Sequence, residues 1–388
     1  MTNVLITGAN GFVGRNLVTH LEQRKDVTLQ RFDKERNAAD LERMLAEADV
    51  VFHLAGVNRP EDPSEFATGN TGLTEQICTL LRRHGRAPAI VFSSSTQAAL
   101  PNPYGASKLA AEEALRSFAQ DTGAAVHILR LRNLFGKWCR PNYNAVTATF
   151  CHNLANDLPI QISNPAHVVD LSYIDDVVAA FASVLDGASP TDASIPSHSI
   201  SLGELAGRLQ AFHDMRESLV IPDFTEPFSR ALYATYLSYV PQQAREQGLT
   251  IRSDNRGSLA EFIKQTHLGQ IFVSHTHPGI TRGNHYHHTK TEKFFVVAGE
   301  GLIRMRSILG GPVQEYRVTG TAYQVIDIPP GYTHSITNVG SDEMVTLFWS
   351  SEIFDPAHPD TYFLDVDAVR DSVSETAVPE AAPRGSKA

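Results

Sequence analysis

The sequence predicts a two-domain chain in which a doubly wound α/β domain with a parallel sheet precedes an all-β barrel or jelly roll. Its 388 residues exceed the ~250–300 residues at which one hydrophobic core usually stops growing. The first half alternates short apolar strands with longer segments of helical period, the order typical of a parallel sheet. The last third consists of short alternating runs broken by glycine and proline. We therefore expect an α/β domain over residues 1–245, an all-β domain over 246–370 and a disordered tail over 371–388.

Each predicted strand of the first domain is followed by a predicted helix. The strands are Val4–Thr7, Val50–Leu54 and Ala89–Ser93, and the helices are Asn10–Arg24, Thr71–His84 and Tyr104–Thr122. A further helix is predicted over Leu202–Phe212, and an irregular connector over Pro222–Gln247. In the second domain the alternation is clearest in Glu292–Val297, Gly301–Ile308 and Tyr323–Ile328.

Charge balance and cysteine usage narrow the class of protein. A formal net charge of -10 and the lack of any lysine or arginine run argue against a nucleic-acid partner. The three cysteines, Cys78, Cys139 and Cys151, lack C-x-x-C spacing, which argues for a reducing compartment. The sequence shows neither a basic leader nor an uncharged stretch near the ~18 residues that span a bilayer. We therefore expect a cytoplasmic protein that neither binds nucleic acid nor inserts into a membrane. We also expect the protein to be a homodimer.

The strongest motif of the first domain is a G-x-x-G-x-x-G turn directly after a predicted strand. Glycine is needed where the backbone turns tightly, where it approaches a pyrophosphate and where the following helix packs closely on the sheet. The N-terminus of that helix then offers unpaired N–H groups to the phosphate charge. The residues predicted to bind a dinucleotide here are Gly8, Asn10, Gly11, Phe12, Val13 and Gly14.

Three later segments add polar groups at the ends of strands and on one helix face. They are Leu54-Ala55-Gly56 after one strand, Ser93-Ser94-Ser95 at the end of another, and Tyr104 followed four residues later by Lys108. A lysine one helical turn from a tyrosine can lower the pKa of the phenol and let it exchange a proton with a carbinol oxygen. Such a pair suits a proton transfer to or from a carbinol oxygen.

In this order the motifs resemble those of the extended short-chain dehydrogenase/reductase family, which has a Rossmann-type fold. The resemblance implies that Tyr104 donates or accepts the proton and that Lys108 is its partner and contacts the cofactor ribose. It also implies a strand-end hydroxyl that orients the substrate oxygen, for which Ser95 is the best candidate by register. Ser93 and Ser94 could instead satisfy neighbouring strand groups. The segment Leu54–Gly56 is expected to contact the cofactor.

Two departures from the family pattern bear on the reaction and on the cofactor. Sugar-nucleotide 4,6-dehydratases carry an Asp-Glu pair where this chain has Thr96 and Gln97. Neither side chain exchanges protons near pH 7, so reduction of a carbonyl is favoured over dehydration. Arg31 lies near the end of a further predicted strand, Val27–Phe32, where an acid would select NAD, and this favours NADPH. Asp33 keeps NAD open as the alternative.

The second domain carries a separate set of metal-ligand side chains. Two histidines two apart on a strand point to one face. The resemblance to the cupin superfamily, whose two motifs the spacing matches, implies that a later histidine reaches the same barrel mouth. Three imidazoles and a carboxylate can hold Zn, Fe, Mn or Ni, and we expect one divalent ion, most simply zinc. The expected ligands are His285, His287, Glu292 and His334.

The spacing of this set resembles the two motifs of the cupin superfamily. Tyr323 departs from the second motif because it occupies the position of its usual first glycine. Metal-free cupins exist, so a metal-free barrel stays open as an alternative. His288 faces away from its two neighbours and is expected to be structural or exposed.

Further segments extend the resemblance to nearly the whole chain. They are Asn133–Cys139, Leu171–Val177, Asn255–Phe262, Gly283–His285, Thr235–Tyr239 and Asp360–Phe363. The chain resembles the bifunctional reductase/epimerases of capsule or O-antigen synthesis. The resemblance implies that the cupin epimerises C3 of a UDP-linked 4-keto-6-deoxy-N-acetylhexosamine. The reductase domain would then reduce C4 with NADPH, giving UDP-2-acetamido-2,6-dideoxy-β-L-talose.

Several assignments stay open from the sequence. The base for C3 epimerisation could be Lys290, Glu292 or Tyr332, all near the predicted barrel mouth. Five residues could contact the sugar nucleotide or cap loops: Asn133, Arg140, Asn142, Tyr143 and Asn144. Arg130 and Arg132 are expected to serve surface packing. Two other functions remain: a single-activity reductase or 4-epimerase with a structural cupin, and a non-catalytic sensor of NADP(H) and a sugar nucleotide.

Overall fold

The computed structural model describes residues 1–62 and 64–368, which form two compact units. The first unit comprises Met1–His213 and Phe224–Arg245. The second comprises Asp214–Asp223 and the chain from Glu246 onward. The predicted disordered tail, residues 371–388, lies outside the described residues.

The main sheet of the first unit is parallel, with the strand order β2-β1-β3-β4-β5. Its strands are β1 Thr2–Thr7, β2 Val27–Phe32, β3 Val50–His53, β4 Ala89–Ser95 and β5 Val126–Leu131. A smaller sheet pairs β6 Asn133–Phe135 in parallel with β7 Val168–Tyr173, which pairs antiparallel with β8 His198–Ser201. Because the main strands run parallel, their carboxyl ends share one edge, where α/β proteins bind ligands.

Helices cover both faces of this sheet. The helices of the described residues are α1 Phe12–Leu21, α2 Ala38–Glu47, α3 Ser64–Phe66, α4 Leu73–Arg83, α5 Pro103–Thr122, α6 Val146–Ala155, α7 Ile174–Ala182, α8 Leu202–Ser218 and α9 Pro227–Tyr239. One core packs α1 and α7 on the sheet around Leu17 and Phe181, and the other packs α2, α4 and α5 around Leu45 and Phe118. This doubly wound arrangement confirms the α/β fold predicted from the alternating pattern.

The expected irregular connector over Pro222–Gln247 is wrong, because α9 occupies its centre. Pro227 stands in the first turn of this helix, where a missing N–H costs nothing. Phe228, Leu232 and Tyr236 follow at a spacing of four and are buried. The helical period of these apolar residues was the missed signal.

The second unit consists of antiparallel strands in two sheets. One sheet has the order β16-β13-β18-β11-β10-β9, and the other has the order β15-β14-β17-β12-β19. The strands are β9 Ile251–Asp254, β10 Gly257–Gln265, β11 Gly269–Thr276, β12 Thr281–Tyr286, β13 Glu292–Ala298, β14 Glu300–Ser307, β15 Gln314–Thr319, β16 Val325–Ile328, β17 Tyr332–Asn338, β18 Met344–Ser350 and β19 Tyr362–Phe363.

Side chains from both sheets of the second unit fill one core. Phe294 and Phe348 come from the first sheet, and Ile303 and Ile336 come from the second. Two antiparallel sheets that share an apolar core form the sandwich expected of a jelly roll. The predicted fold class of an α/β domain followed by an all-β domain is confirmed. Within the described part of the chain, no helix combines the length and the apolar character that a bilayer span requires.

Candidate functional site

A cavity of about 740 Å³ opens in the first unit beside the carboxyl ends of its parallel strands. Several of the predicted site residues line it: Gly8, Gly11, Phe12, Val13, Gly14, Leu54, Gly56, Ser95, Tyr104 and Lys108. Segments from distant parts of the chain meet there because parallel strands end at the same edge. The volume suits a ligand of cofactor size.

The glycine turn leaves no room for side chains at its two end positions. Gly8 has φ +69, and a Cβ there would lie 2.7 Å from the backbone nitrogen of Ala55. A Cβ on Gly14 would lie 2.1 Å from the carbonyl oxygen of Gly8. Helix α1 begins at Phe12, and its N-cap residue Gly11 makes no side-chain capping bond. Its first turn therefore presents backbone N–H groups to the cavity, and this arrangement fits a dinucleotide pyrophosphate.

The end of β2 lies against the glycine turn. The N–H groups of Gly8 and Ala9 donate to the carbonyl of Phe32 at 2.9 and 3.4 Å. The N–H of Asn10 donates to Oδ2 of Asp33 at 2.7 Å. Arg31 instead forms an ion pair with Glu22, at the C-terminus of α1. Of the two residues considered for cofactor choice, Asp33 is the one that contacts the turn.

Next to the turn, the segment after β3 is tied to residues that sequence reasoning missed. Asn70 is buried, and its side chain accepts from the N–H of Val57 and donates to Oγ of Ser107. A Cβ on Gly56 would lie 2.8 Å from Oδ1 of Asn70 and 3.2 Å from Nζ of Lys108. Leu54 and Ala55, from the same segment, both donate their N–H to Oγ1 of Thr7. Asn70 lies in an irregular helical turn with no motif around it, so it had no sequence signal.

The three serines at the end of β4 have different partners. Oγ of Ser93 donates to the carbonyl of His53 at 3.4 Å, and Oγ of Ser94 donates to Glu112 at 2.5 Å. Ser95 lies at the cavity beside the Tyr104 phenol, and its Oγ accepts from the N–H of Gln97 at 3.2 Å. Hydrogen bonds to His53 and Glu112 thus engage the first two hydroxyls. The third is the one next to the phenol.

Tyr104 and Lys108 both reach this cavity from α5. Burial raises the pKa of the Tyr104 phenol, and the neighbouring Ser95 hydroxyl opposes the rise. The phenol pKa is therefore raised, whereas the sequence led us to expect that the lysine lowers it. Burial lowers the pKa of Lys108 to about 8, against an opposing effect of Glu112. Nζ of Lys108 donates to the carbonyl of Ser93 at 2.9 Å.

A buried carboxylate corrects the expectation for Arg130. The side chain of Glu112 is fully buried and accepts from Ser94, Arg116 and two nitrogens of Arg130. Burial raises its pKa, but these bonds prevail and hold the pKa below its usual value. Arg130 therefore neutralises a charge within the core rather than serving surface packing, since an unpaired buried carboxylate is costly.

The far end of the cavity is lined by polar residues from the loop after β6. Of the candidate sugar contacts, Asn133, Arg140, Tyr143 and Asn144 line the cavity. Asn142 is not among the lining residues, and its N–H donates to Oγ1 of Thr149 at 2.9 Å. Arg132 also lines the cavity, so its expected role in surface packing is wrong. Asn58 and Arg59 are further lining residues that the sequence reasoning missed; their position shortly after the segment Leu54–Gly56 was the available signal.

In the second unit, the four predicted metal ligands meet at one point. One ligand atom from each of four side chains lies within 4.8 Å of the others, and the four residues are His285, His287, Glu292 and His334. His285 on β12 pairs in register with His334 on β17, next to a bulge at Gly283 and Asn284 with φ +96 and +57. Glu292 opens β13 in the facing sheet. Strand pairing brings together residues about fifty positions apart.

The orientation of two imidazoles fits a metal. Nδ1 of His287 bonds the carbonyl of Asp360 at 2.6 Å, and Nδ1 of His334 bonds the carbonyl of Tyr332 at 3.2 Å. Their Nε2 atoms are buried without a hydrogen-bond partner among the described residues, 3.3 and 3.2 Å from Oε2 of Glu292. Ligands ~2.0–2.1 Å from a tetrahedral zinc lie roughly 3.3 Å apart. Carbonyls that accept the Nδ1 protons leave the Nε2 lone pairs for an ion.

The protonation states of the cluster also suit the binding of a metal ion. Burial opposes ionisation of Glu292, but its contacts with His287 and His334 hold its pKa well below the usual range. Burial, with His334 beside it, lowers the pKa of His285 to about 4. A carboxylate and a neutral imidazole are the forms that bind a cation.

The remaining candidates of this unit surround the cluster or lie outside it. Lys290 is buried, and its ammonium donates to the carbonyl of Pro359 and to Oγ1 of Thr361. Tyr332 is half-buried at the start of β17. His288 is exposed and contacts the ring of Tyr362, as expected for a residue facing away from the ligands. Tyr323, at the position of the usual first glycine of the motif, has a left-handed backbone conformation with φ +48.

Comparisons with known proteins cover both units. The NAD dependent epimerase/dehydratase family matches residues 4–195, and the polysaccharide biosynthesis C-terminal domain matches residues 252–362. A UDP-2-acetamido-2,6-β-L-arabino-hexul-4-ose reductase of Pseudomonas aeruginosa is 46% identical over 94% of this chain and 98% of its own length.

Solved structures agree with these matches. The capsular polysaccharide assembling protein CapF of Staphylococcus aureus superposes with a TM-score of 0.88 at 44% identity, over 94% of this chain and 100% of that one. A UDP-glucose 4-epimerase of Thermotoga maritima, at 21% identity and a TM-score of 0.51 over 61% of this chain and 98% of that one, shares the fold. The chain belongs to the family of the UDP-2-acetamido-2,6-β-L-arabino-hexul-4-ose reductases, with an epimerase/dehydratase domain followed by a polysaccharide biosynthesis C-terminal domain.

Proposed function

We propose that the chain is a bifunctional sugar-nucleotide enzyme that epimerises C3 of a UDP-linked 4-keto-6-deoxy-N-acetylhexosamine and reduces its C4 carbonyl. The product would be UDP-2-acetamido-2,6-dideoxy-β-L-talose. The observation that carries the proposal is the presence of two separate candidate sites, one in each unit. One is the Ser95–Tyr104 pair beside a dinucleotide-type glycine turn, and the other is the buried cluster around Glu292. The name of the Pseudomonas aeruginosa relative supports a keto sugar nucleotide as substrate.

In the reductase cavity, a bound nicotinamide supplies the hydride. The carbonyl oxygen then needs a proton, and Tyr104 would donate it, because its raised pKa keeps the phenol protonated at neutral pH. Ser95 would hold the same oxygen through its hydroxyl. Lys108, held at the carbonyl of Ser93, would replace the phenolic proton and hold the cofactor ribose.

The neighbouring residues make elimination of water a poor alternative. Thr96 and Gln97 line the cavity where a dehydratase would need an acid and a base. Neither titrates near pH 7. Reduction is therefore the reaction that the described groups support.

In the second unit, we propose one divalent ion, most simply zinc, held by His285, His287, Glu292 and His334. Such an ion supplies Lewis-acid stabilisation of the charge that develops on the C4 oxygen when the C3 proton leaves. The chain's own part is to keep the imidazoles neutral and aimed, through the carbonyls of Asp360 and Tyr332. The homodimer, the cytoplasmic location and the identity of the C3 base stay predictions.

The test is an incubation of the purified protein with the UDP-linked 4-keto sugar and a reduced nicotinamide cofactor. We expect stoichiometric cofactor oxidation at 340 nm and, by NMR, a product inverted at C3 and reduced at C4. Cofactor oxidation with C3 configuration retained would leave a single-activity reductase with a structural second unit. The absence of oxidation with a tightly bound cofactor would favour the sensor function instead.

A further inference from the structure

We infer that Glu112 is a positioning residue of the reductase site, because it holds the face of α5 that carries Tyr104 and Lys108 against the end of β4. The inference rests on the proposed function, since it concerns the same reducing site. Glu112 is not among the residues that line the cavity, so it would act through the residues that do. Its contacts with the strand end carry the inference.

Three residues spaced by four along α5 lie next to three consecutive serines of β4. The helix residues share one face, because residues four apart lie one above the other. The neighbours are Tyr104 and Ser95, Lys108 and Ser93, and Glu112 and Ser94. Oγ of Ser94 donates to Oε1 of Glu112 at 2.5 Å. Because Ser94 lies between the other two serines, this bond fixes where the strand end meets the helix.

A second set of bonds holds the Glu112 carboxylate from other directions. Arg130 of β5 donates to it through Nε at 2.8 Å and Nη2 at 2.7 Å, and Arg116 of α5 donates at 2.8 Å. Arg130 pairs in register with Ser94. The side chain of Glu112 is fully buried, whereas the next residue, Glu113, is exposed. The carboxylate therefore fixes the helix relative to two neighbouring strands.

Glu112 also acts on the charge of Lys108, one helical turn away. Burial lowers the pKa of Lys108 to about 8, and the Glu112 carboxylate opposes that fall. From other elements, the ring of Phe92 lies 4.8 Å from Nζ, and His53 is neutral because burial lowers its pKa to about 3. The phenol of Tyr104 is neutral as well, since its pKa is raised. Among these described groups, Glu112 is the anion that favours the ammonium.

Both effects bear on one step of the proposed reduction. When the Tyr104 phenol has given its proton to the C4 oxygen, an N–H bond of Lys108 breaks and the phenolic O–H bond forms again. This step needs the two side chains at the right distance and needs the ammonium charged. A carboxylate that served the core alone would change activity only by changing the folded fraction.

The experiment compares kcat, KM and the pH profile of kcat for full-length variants acting on the UDP-linked 4-keto sugar. Glu112→Gln keeps the size and an acceptor oxygen but removes the charge. We expect kcat to fall about 10–100-fold with KM within about threefold of the wild type, since misplaced reacting groups cost up to about 100-fold. The alkaline limb of the profile should move to lower pH by roughly one unit. Glu113→Gln, the exposed neighbour, should keep the wild-type values.

A second variant separates position from charge. Ser94→Ala removes the bond to β4 but keeps the carboxylate, so kcat should fall about tenfold while the alkaline limb stays in place. An unmoved limb in Glu112→Gln, or a wild-type kcat in Ser94→Ala, would overturn the inference. Where thermal melting shows that Glu112→Gln does not fold, the kcat of Ser94→Ala at unchanged KM decides.

A measurement without substrate keeps the inference apart from the proposed function. The rate at which acetic anhydride acetylates Lys108, followed by mass spectrometry from neutral to alkaline pH, reports the pKa of this amine. That pKa should be lower in Glu112→Gln than in the wild type and unchanged in Glu113→Gln. This result in a protein that reduces no keto sugar would overturn the proposed function and support the effect of Glu112. Equal acetylation profiles would overturn the inference whether or not the sugar is reduced.

Discussion

The two candidate sites differ in how completely the protein prepares them for their ligands. The reductase cavity is open, and backbone N–H groups, a hydroxyl, a phenol and an ammonium lie along it. The cluster of the second unit is buried, and two of its imidazole nitrogens lie 3.2 and 3.3 Å from one carboxylate oxygen. The comparison shows that the first site spreads its polar groups along a wide cavity, whereas the second brings them to one point.

The sharpest test of this division removes the phenolic proton donor alone. Tyr104→Phe should lower the rate of C4 reduction by roughly 10²–10⁴-fold, the usual contribution of a general acid, because the fold and the second unit stay intact. Incubation of this variant with the 4-keto sugar in D2O should still place deuterium at C3, as read by NMR. Loss of C3 exchange in a natively folded Tyr104→Phe protein would show that one cavity performs both steps.

The reciprocal change removes one ligand from the prepared cluster. His334→Ala should reduce bound metal from about one per chain to well below one, a loss of affinity above ~10²-fold, since an outer-shell change alone costs 10–100-fold. Elemental analysis after dialysis measures this, and C3 exchange should stop while dinucleotide binding is retained. His275→Ala, an exposed histidine of the same unit, is the control. Unchanged product stereochemistry in His334→Ala would make the second unit structural.

A smaller change tests whether Asp360, which is not one of the four proposed ligands, helps to orient them. The Asp360 carboxylate accepts the N–H groups of His288, Thr289 and Lys290, and its own carbonyl holds His287. Asp360→Asn keeps a residue that tolerates the local φ of +37 but removes the charge.

We expect this variant to weaken metal affinity by about 10–100-fold in a competition titration with a chromogenic chelator. Asp355→Asn, an exposed acid of the same segment, should leave the affinity unchanged. Equal affinities for both variants would mean that strand pairing alone aims the imidazole of His287.

The smallest expected effect concerns the buried ammonium of Lys108 in the reductase cavity. Lys108 has a pKa of about 8 in the fold, below its ordinary 10.5, because burial disfavours the ammonium. Between these pH values the unfolded chain binds more protons than the folded one, so the contribution of Lys108 to stability rises with pH across that window. Below pH 8 the full free-energy cost of burying the Lys108 ammonium is present.

Unfolding by denaturant at pH 7.5 and at pH 10 measures this contribution. From the lower to the higher pH, the free energy of unfolding of the wild type should rise relative to that of Lys108→Met by on the order of 1–3 kcal/mol. The methionine variant lacks the titrating group and cancels the other pH effects of the fold. A difference that stays flat between the two pH values would show that the ammonium is solvated in the folded protein.

Much of the molecule could be predicted because its signals are local. The glycine turn needs backbone conformations and close approaches that only glycine permits, as at Gly8 and Gly14. Tyr104 and Lys108 lie one helical turn apart wherever the helix is placed. The period of apolar residues separated the α/β half from the all-β half. The exception is α9, whose period was present but was interpreted as a connector.

What the sequence by itself determined is therefore the fold class, since the period of apolar residues is a local signal. Short motifs along the chain also indicated the residues of the two candidate sites, although His285 and His334 meet only through strand pairing. Tertiary structure alone decided that Asp33 rather than Arg31 contacts the turn, that Arg130 neutralises Glu112, and that Asp360 orients His287. These pairings join residues up to 73 positions apart. Their energies depend on burial and direction, and no local pattern encodes either before the chain has packed.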